Sequence, residues 1–437
     1  MADHLNRRLA IESPAQVSTR RYVLAVLVVV YTFNFIDRQI LAILLPSIKA
    51  EFAVNDWVLG FLSGPAFAVF YATLGVPIAL LGDRWNRRNL IAIALALWSG
   101  MTALSGAALT VTQLALARVG VGIGEAGCSP PAHSMISDYY PPEKRSAAMG
   151  IYTAGISIGI MIAFLAGGWV AQNIGWREAF FIVGIPGLVL ALIVRFTIRE
   201  PDRGMSEGRV DSGERPGIPY VAKFLFRRKS FVHMAVGSGL AAFNGYSVIS
   251  FFPSFLNRSH GMNVAEIGVY LGLILGIAGA AGFAGGGYFA DHVGKTSRRK
   301  SLIGVAAATL IAWLCMVPVY IVASPYTALT LFVIPAALSN FYLATTIAQT
   351  QGLVGLRMRA VASAILFFIL NIIGLGLGPP LAGMLSDALA SSFGAESMRY
   401  SLLIVTAVIS PWSAFHYFIA SRHIESDLAQ ANGANED

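Results

Sequence analysis

The chain has 437 residues, 56% of them hydrophobic and only 12% charged, with a formal net charge of +8 and a mean hydropathy of +0.66. A soluble domain usually carries about 25% charged residues, so composition argues against an ordinary soluble protein before any motif is considered. Charge-free stretches such as 22–36 and 90–111 approach or exceed the length of about 20 residues that crosses a bilayer as a helix.

In chain order, the first twenty residues are polar and include Asp3, His4, Arg7, Arg8 and Glu12. They lack the apolar core of a cleavable signal and form an expected cytoplasmic tail, 1–20. Apolar runs then place six spans at about 21–49, 56–82, 88–108, 111–138, 145–172 and 177–197, a first bundle over 21–197. Residues 198–229 are polar and rich in glycine and proline, as a linker between bundles would be. The end of that linker, Tyr220 to Lys229, suits either a basic amphipathic helix on the membrane surface or a plain connector. Six further spans, about 230–257, 263–291, 299–322, 325–352, 358–388 and 395–421, form a second bundle over 230–421, leaving a tail, 422–437. Cys128 and Cys315 sit inside spans and read as buried small hydrophobes.

Lys and Arg set the expected orientation. With the N-terminus inside, 25 of the 31 fall in segments on that side and four, Lys49, Arg177, Arg258 and Arg399, on the other; Arg38 and Arg118 lie within spans. The positive-inside rule then puts both termini in the cytoplasm. The +8 charge is explained by orientation, and nucleic acid is not an expected partner.

Two loops repeat between the halves. Ala79-Leu-Leu-Gly-Asp83-Arg84-Trp-Asn86-Arg87-Arg88 follows span 2, and Gly287-Tyr-Phe-Ala-Asp291-His-Val-Gly294-Lys295 follows span 8. Spans 5 and 11 also match, Gly155 to Gly168 against Gly374 to Gly383. Parallel repeats of this kind mark transporters whose substrate site lies between the halves near the midplane. The second loop fits fully the Gly-x-x-x-Asp-x-x-Gly-Arg/Lys motif of the major facilitator superfamily. The first departs at Ala79 and Asn86 but keeps Asp83, Arg84, Arg87 and Arg88, and span 4 adds Arg118-Val-Gly-Val-Gly122-Ile-Gly124. On these motifs the chain resembles that superfamily over nearly its whole length. Asn34-Phe-Ile-Asp37-Arg38, Gly122-Ile-Gly-Glu125-Ala126, Ser129-Pro130 and Arg199-Glu200-Pro201 resemble its spinster-like branch, in a prokaryotic form. The resemblance implies an all-α membrane protein, twelve transmembrane helices in two pseudo-symmetric six-helix bundles, in a bacterial inner membrane. It implies alternating access and an amphipathic substrate of lysolipid or sphingoid type. A small organic anion, for example an aromatic acid, is the alternative substrate on the same scaffold.

Four ionisable residues fall where they are expensive, at about 2.5–3.5 kcal/mol each inside a bilayer: Asp37, Arg38, Arg118 and Glu125. At 1.5 Å per residue, Asp37 lies about 24 Å above the start of span 1 and Arg118 about 9 Å below the opposite end of span 4, which brings them to similar heights. Glu125 lies about 10 Å further along nearly the same face. Because desolvation offsets the attraction within buried pairs, a switching network coupled to protons explains these charges better than a static cluster. Glu125 is favoured as the proton carrier over Asp37, and Arg38 as the anchor for an anionic headgroup.

Further expectations concern the cavity and its closure. Asn34 and Glu125, with Phe243, Asn244, Tyr342, Thr346 and Asn371 from the second half, are expected to line the substrate site around Arg38. Asp83, Arg84, Arg87, Arg88, Asp291 and Lys295 are expected to pair across the cytoplasmic side and hold it shut. Pro130-Pro131 interrupts span 4 and predicts a kink. Glycines in spans 8 and 11 suit close packing and bending. No Walker loop, metal-ligand cluster or nucleophile motif is present in the sequence, so no cofactor beyond the coupling proton is expected, nor an enzyme activity. The expected partners are the substrate and membrane lipids, around a monomer.

Overall fold

The computed structural model describes residues 14–203 and 217–433. The far ends of both tails and the middle of the linker, 204–216, lie outside the described residues. α1 (Pro14–Phe52) is the first span, and α2 (Asp56–Ser63) with α3 (Pro65–Arg84), broken at Gly64, is the second. α4 (Arg87–Gly106) is the third, α5 (Val111–Glu125) with α6 (Ser129–Tyr139) the fourth, α7 (Pro142–Asn173) the fifth and α8 (Trp176–Thr197) the sixth. A short helix, α9 (Ile218–Phe226), precedes the second half. There α10 (Lys229–His260) is followed by α11 (Val264–Leu273), which runs through a π-helical segment, Ile274–Ala278, into α12 (Gly279–Thr296). Next come α13 (Arg298–Val319), then α14 (Pro325–Leu338) with α15 (Phe341–Gly352). Finally α16 (Arg359–Leu370) passes through a π-helical segment, Asn371–Leu377, into α17 (Gly378–Phe393), and α18 (Ser397–Gly433) closes the chain.

By length and hydropathy alone, ten continuous helical runs among the described residues can cross a membrane. One of them, Arg359–Ala431, turns back at Gly394, where φ is +56°, and holds spans 11 and 12. The fourth span escapes that criterion because residues 126–128 break it into two short helices. Twelve spans result. Short polar side chains set many of their starts: Asn86, Thr110, Asn263, Ser297 and Ser324 each accept a hydrogen bond from a backbone N–H three residues on. Asn86, which departs from the loop motif, therefore serves as the N-cap of α4.

The helices run past the expected tail boundaries. α1 begins at Pro14 and α18 continues to Gly433, because hydropathy marks where lipid stops, not where the helix stops. The extension has a role: Asp427 accepts from the backbone N–H and hydroxyl of Ser230, at 2.8 and 2.6 Å, capping α10.

Three apolar cores organise the molecule. One, with Leu59, Phe180, Phe251, Ile267 and Leu402, is shared by both halves at the end away from the termini, here called the far face. The other two lie toward the terminal face. One holds Val23, Trp98, Tyr152 and Val194 of the first half, and the other Met234, Leu302, Leu366 and Ile424 of the second. The halves are thus joined at the far face and separate toward the terminal face. Backbones touch along the joint. A Cβ on Gly268 would lie 2.3 Å from the Phe164 carbonyl oxygen, and one on Gly383 would lie 2.3 Å from that of Asp56. Only glycine permits such an approach.

Candidate functional site

Two of the buried charges of the first half meet in an ion pair. Arg38, on α1, directs two nitrogens at one oxygen of Glu125, at the end of α5: Nη2 at 2.6 Å and Nε at 3.1 Å. Three rings box the guanidinium, Phe35, Phe67 and Tyr71, with centroids 5.1, 4.8 and 4.7 Å away. Such cation–π contacts stabilise a desolvated cation that hydrogen bonds alone leave underserved. The helix breaks directly after Glu125, and Pro130 and Pro131 start α6. There proline's missing donors cost nothing, so the interruption predicted from Pro130-Pro131 is a clean break between two helices.

Asp37 points elsewhere. Arg118 Nη1 donates to its backbone carbonyl at 3.2 Å, not to its carboxylate. The carboxylate is fully buried and faces Thr102 and Trp98, with no cation bonded to it. The four charges therefore form one ion pair, Arg38–Glu125, and two groups held nearby without direct pairing.

A small cavity opens beside Arg38, lined by the polar Gln39, Ser63, Tyr246 and Ser250 and by apolar Leu41, Ala42, Ile249 and Leu375. It draws on both halves. Tyr246, Ser250, Gln39 and Ser63 are not among the expected site residues; the signal that could have found Tyr246 is its place on span 7, which faces span 1. Of the expected set, Asn34 is buried and faces Glu125. Several second-half residues are engaged inside their own bundle instead. Asn244 Oδ1 accepts from Thr406 at 3.0 Å, Thr346 bonds the Tyr342 carbonyl and the Tyr417 hydroxyl at 2.8 Å each, and Asn371 donates to the Phe367 carbonyl at 2.8 Å. Phe243 and Tyr342 are buried in packing. A polar atom in a span is costly unless bonded within the protein, and these residues meet that need locally. Unbonded buried oxygens remain on Thr345, Gln349 and Thr350 of α15.

The expected closure on the terminal face takes a different form. Arg87 is buried and pairs with Glu200 (2.7 Å) and Asp138, and also bonds Ser134 and the Pro201 carbonyl. Arg88 donates its backbone N–H to Glu200 at 2.8 Å. These partners lie in the first half and at the start of the linker that leaves it, so Arg87 and Arg88 staple one bundle and do not bridge two. Asp291 and Lys295 are exposed near the end of α12. Asp83 and Arg84 end α3, and their side chains lie outside those described.

The lock that does join the halves sits on the far face. Asp56, at the start of α2, is 2% exposed and takes both Arg258 nitrogens, at 2.7 and 2.6 Å, Lys49 at 2.5 Å and the Ser386 hydroxyl at 2.7 Å. Asp387, on α17, accepts from the backbone N–H groups of Asp56 and Trp57 at 2.8 Å each, capping α2 from the opposite half. The other two far-face cations are also paired, Arg177 with Glu51 and Arg399 with Glu396.

Comparison with known proteins agrees with this arrangement. Residues 27–379 match the model of the Major Facilitator Superfamily. The fold superposes with a TM-score of 0.85 on the inward-facing, unoccupied crystal structure of a bacterial homologue of the human lysosomal transporter spinster; the two are 33% identical, over 95% of this chain and 99% of that one. An MFS-type efflux pump of Mycolicibacterium smegmatis is 34% identical over 93% of each chain, and a hexuronate transporter of Bacillus subtilis is 26% identical over 86% of this chain and 90% of its own. With twelve spans in two repeated halves, a charged centre between them and one face locked, the chain belongs to the Major Facilitator Superfamily, in its spinster-like branch.

Proposed function

We propose that the protein is a proton-linked secondary transporter that carries an amphipathic anion, of lysolipid or sphingoid type, by alternating access. The terminal face is then the cytoplasmic face of a bacterial inner membrane, and the far-face lock holds the carrier open inward. The observation that carries this reading is Arg38, a buried cation in an aromatic box, bonded to Glu125 and open to a cavity shared by both halves.

The chemistry follows from competition for one guanidinium. An anionic headgroup reaching Arg38 displaces Glu125, and a buried carboxylate without a cation is stable only as the neutral acid. Substrate loading therefore draws a proton onto Glu125. When the halves rock and Glu125 regains Arg38, proton and substrate leave on the other side. The chain of an amphiphile extends toward the more apolar second half, whereas Gln39, Ser63 and Ser250 satisfy the polar head beside Arg38.

The test is uptake into proteoliposomes under an imposed pH gradient. Glu125→Gln is expected to abolish accumulation driven by the gradient while retaining substrate exchange, because the neutral amide mimics the loaded state. Undiminished gradient-driven uptake by that variant would remove Glu125 from the role. A second reading, a small organic anion as substrate, is favoured by the small size of the cavity beside Arg38 and by the hexuronate carrier among the relatives. A thermal-shift screen separates the two, since binding stabilises by mass action. Stabilisation by uronates or aromatic acids alone, with none from lysolipids, would select the second.

A further inference from the structure

The linker helix α9 has two faces, and the transport reading uses neither. Val221 and Leu225 are fully buried and join the second-half core. Arg228, just beyond, turns inward to Gln430 at 2.8 Å and lies over Phe224, 4.8 Å from its ring centroid. Pro219, Tyr220, Lys223, Phe226 and Arg227 recur at the spacing of the opposite helical face. All five are exposed, Tyr220 by 61% and Phe226 by 54%. The outward stripe thus alternates aromatic rings with cations. No acidic residue occurs from Gly217 to Asn257, and the nearby Asp427 is turned to the backbone N–H and hydroxyl of Ser230.

Position decides what this stripe meets. α9 ends three residues before Lys229 opens the membrane-crossing α10, and three extended residues reach about 10 Å. The helix is therefore held within the depth of a lipid headgroup layer. Aromatic rings favour that layer, and each Lys or Arg near an anionic surface strengthens attachment about fivefold.

We propose that the outward face of α9 is a binding site for anionic phospholipid headgroups of the adjoining leaflet, with Lys223 and Arg227 on the phosphates and Tyr220 and Phe226 in the acyl boundary. The site fixes the second half to the membrane surface independently of the substrate, so it stands whether or not the substrate is an amphiphile.

The test uses the full chain carrying Cys315→Ser, with an environment-sensitive fluorophore on Ile218→Cys. The protein is reconstituted into phosphatidylcholine vesicles with and without phosphatidylglycerol. The expected result is a blue shift, and quenching by spin-labelled lipid, that grows with phosphatidylglycerol content and reverses with added salt. In the Lys223→Gln/Arg227→Gln variant the phosphatidylglycerol content needed for the half-maximal shift should rise several-fold, with the melting temperature in detergent unchanged. A probe that stays water-exposed in both vesicles overturns the proposal. So does equal burial in both vesicles with no salt response, which would mean apolar contact without headgroup recognition. Should the double variant fold poorly, the salt titration of the unmodified stripe still decides between these outcomes.

Discussion

Replacing Asp56 with Asn should open the far face. Asp56 is the acceptor for two Arg258 bonds, one from Lys49 and one from Ser386, and an amide retains only one acceptor oxygen for them. Removing one partner of a buried ion pair typically costs about 3–5 kcal/mol. Lys49 and Arg258 are 32% and 17% exposed, so water recovers part of this, and the lower end, about 3 kcal/mol, is the better figure. Lys49 shares the first half with Asp56, so only the Arg258 and Ser386 bonds are lost from the touching conformation alone, and about 3 kcal/mol is an upper bound for that share. That bound corresponds to a shift of at most about 150-fold in the closed-to-open ratio of the far face. Spin labels on Leu109→Cys and Ile321→Cys, exposed far-face residues of opposite halves, report that ratio as a distance distribution by pulsed electron resonance. A longer-distance population should emerge with Asp56→Asn and be absent with Arg399→Ala, whose ion pair is confined to one loop. An unchanged distribution in Asp56→Asn would refute the lock.

The same labels test the joint and the staple. Gly383→Val should favour the open far face in the same way, because its Cβ would lie 2.3 Å from the Asp56 carbonyl oxygen. Arg87→Ala should leave the distances unchanged but lower the melting temperature by several degrees, a loss of about 3 kcal/mol; a shift in distance would show instead that Arg87 bridges the halves. Asp387→Asn should open the far face less than Asp56→Asn, since it weakens a helix cap worth about 1 kcal/mol. Arg38→Lys keeps the charge but loses the fork and the stacking on three rings, so substrate affinity by thermal shift should fall at least about tenfold; full affinity would show that charge alone suffices.

Span count, the two halves and the central charges were legible in the sequence because each leaves a local mark. Apolar length marks a helix, a repeated loop marks a half, and a charge inside a span marks a site. Interactions between distant segments leave no such mark. Asp56 and Arg258 are 202 residues apart, and each looks like an ordinary loop-end charge. The available clue was rarity, since only four cations lie on the far face and two of them meet on Asp56. Arg87 was expected to bridge the halves because its motif sits where the halves face each other. Glu200, Asp138 and Ser134 are closer within its own bundle. Polarity alone marks Asn244, Thr346 and Asn371 in the sequence as site residues, but a polar residue in a span bonds its own helix or neighbour first.

The paired cations of the far face also make the two mouths of the carrier unequal in long-range attraction. Counted by chain position among the described residues, the terminal side holds 21 basic and eight acidic residues, whereas the far side holds four basic and six acidic. An anion diffusing toward the terminal mouth is drawn in by a positive field, and one approaching the far mouth meets a slightly negative surface whose cations are already engaged. Such fields change association rates by factors of about ten to a thousand and collapse as ionic strength rises. Loading of an anionic solute should therefore be fast and salt-sensitive from the terminal side, and slow and nearly indifferent to salt from the other. That kinetic rectification is built into the surface and requires no difference in affinity between the two open states.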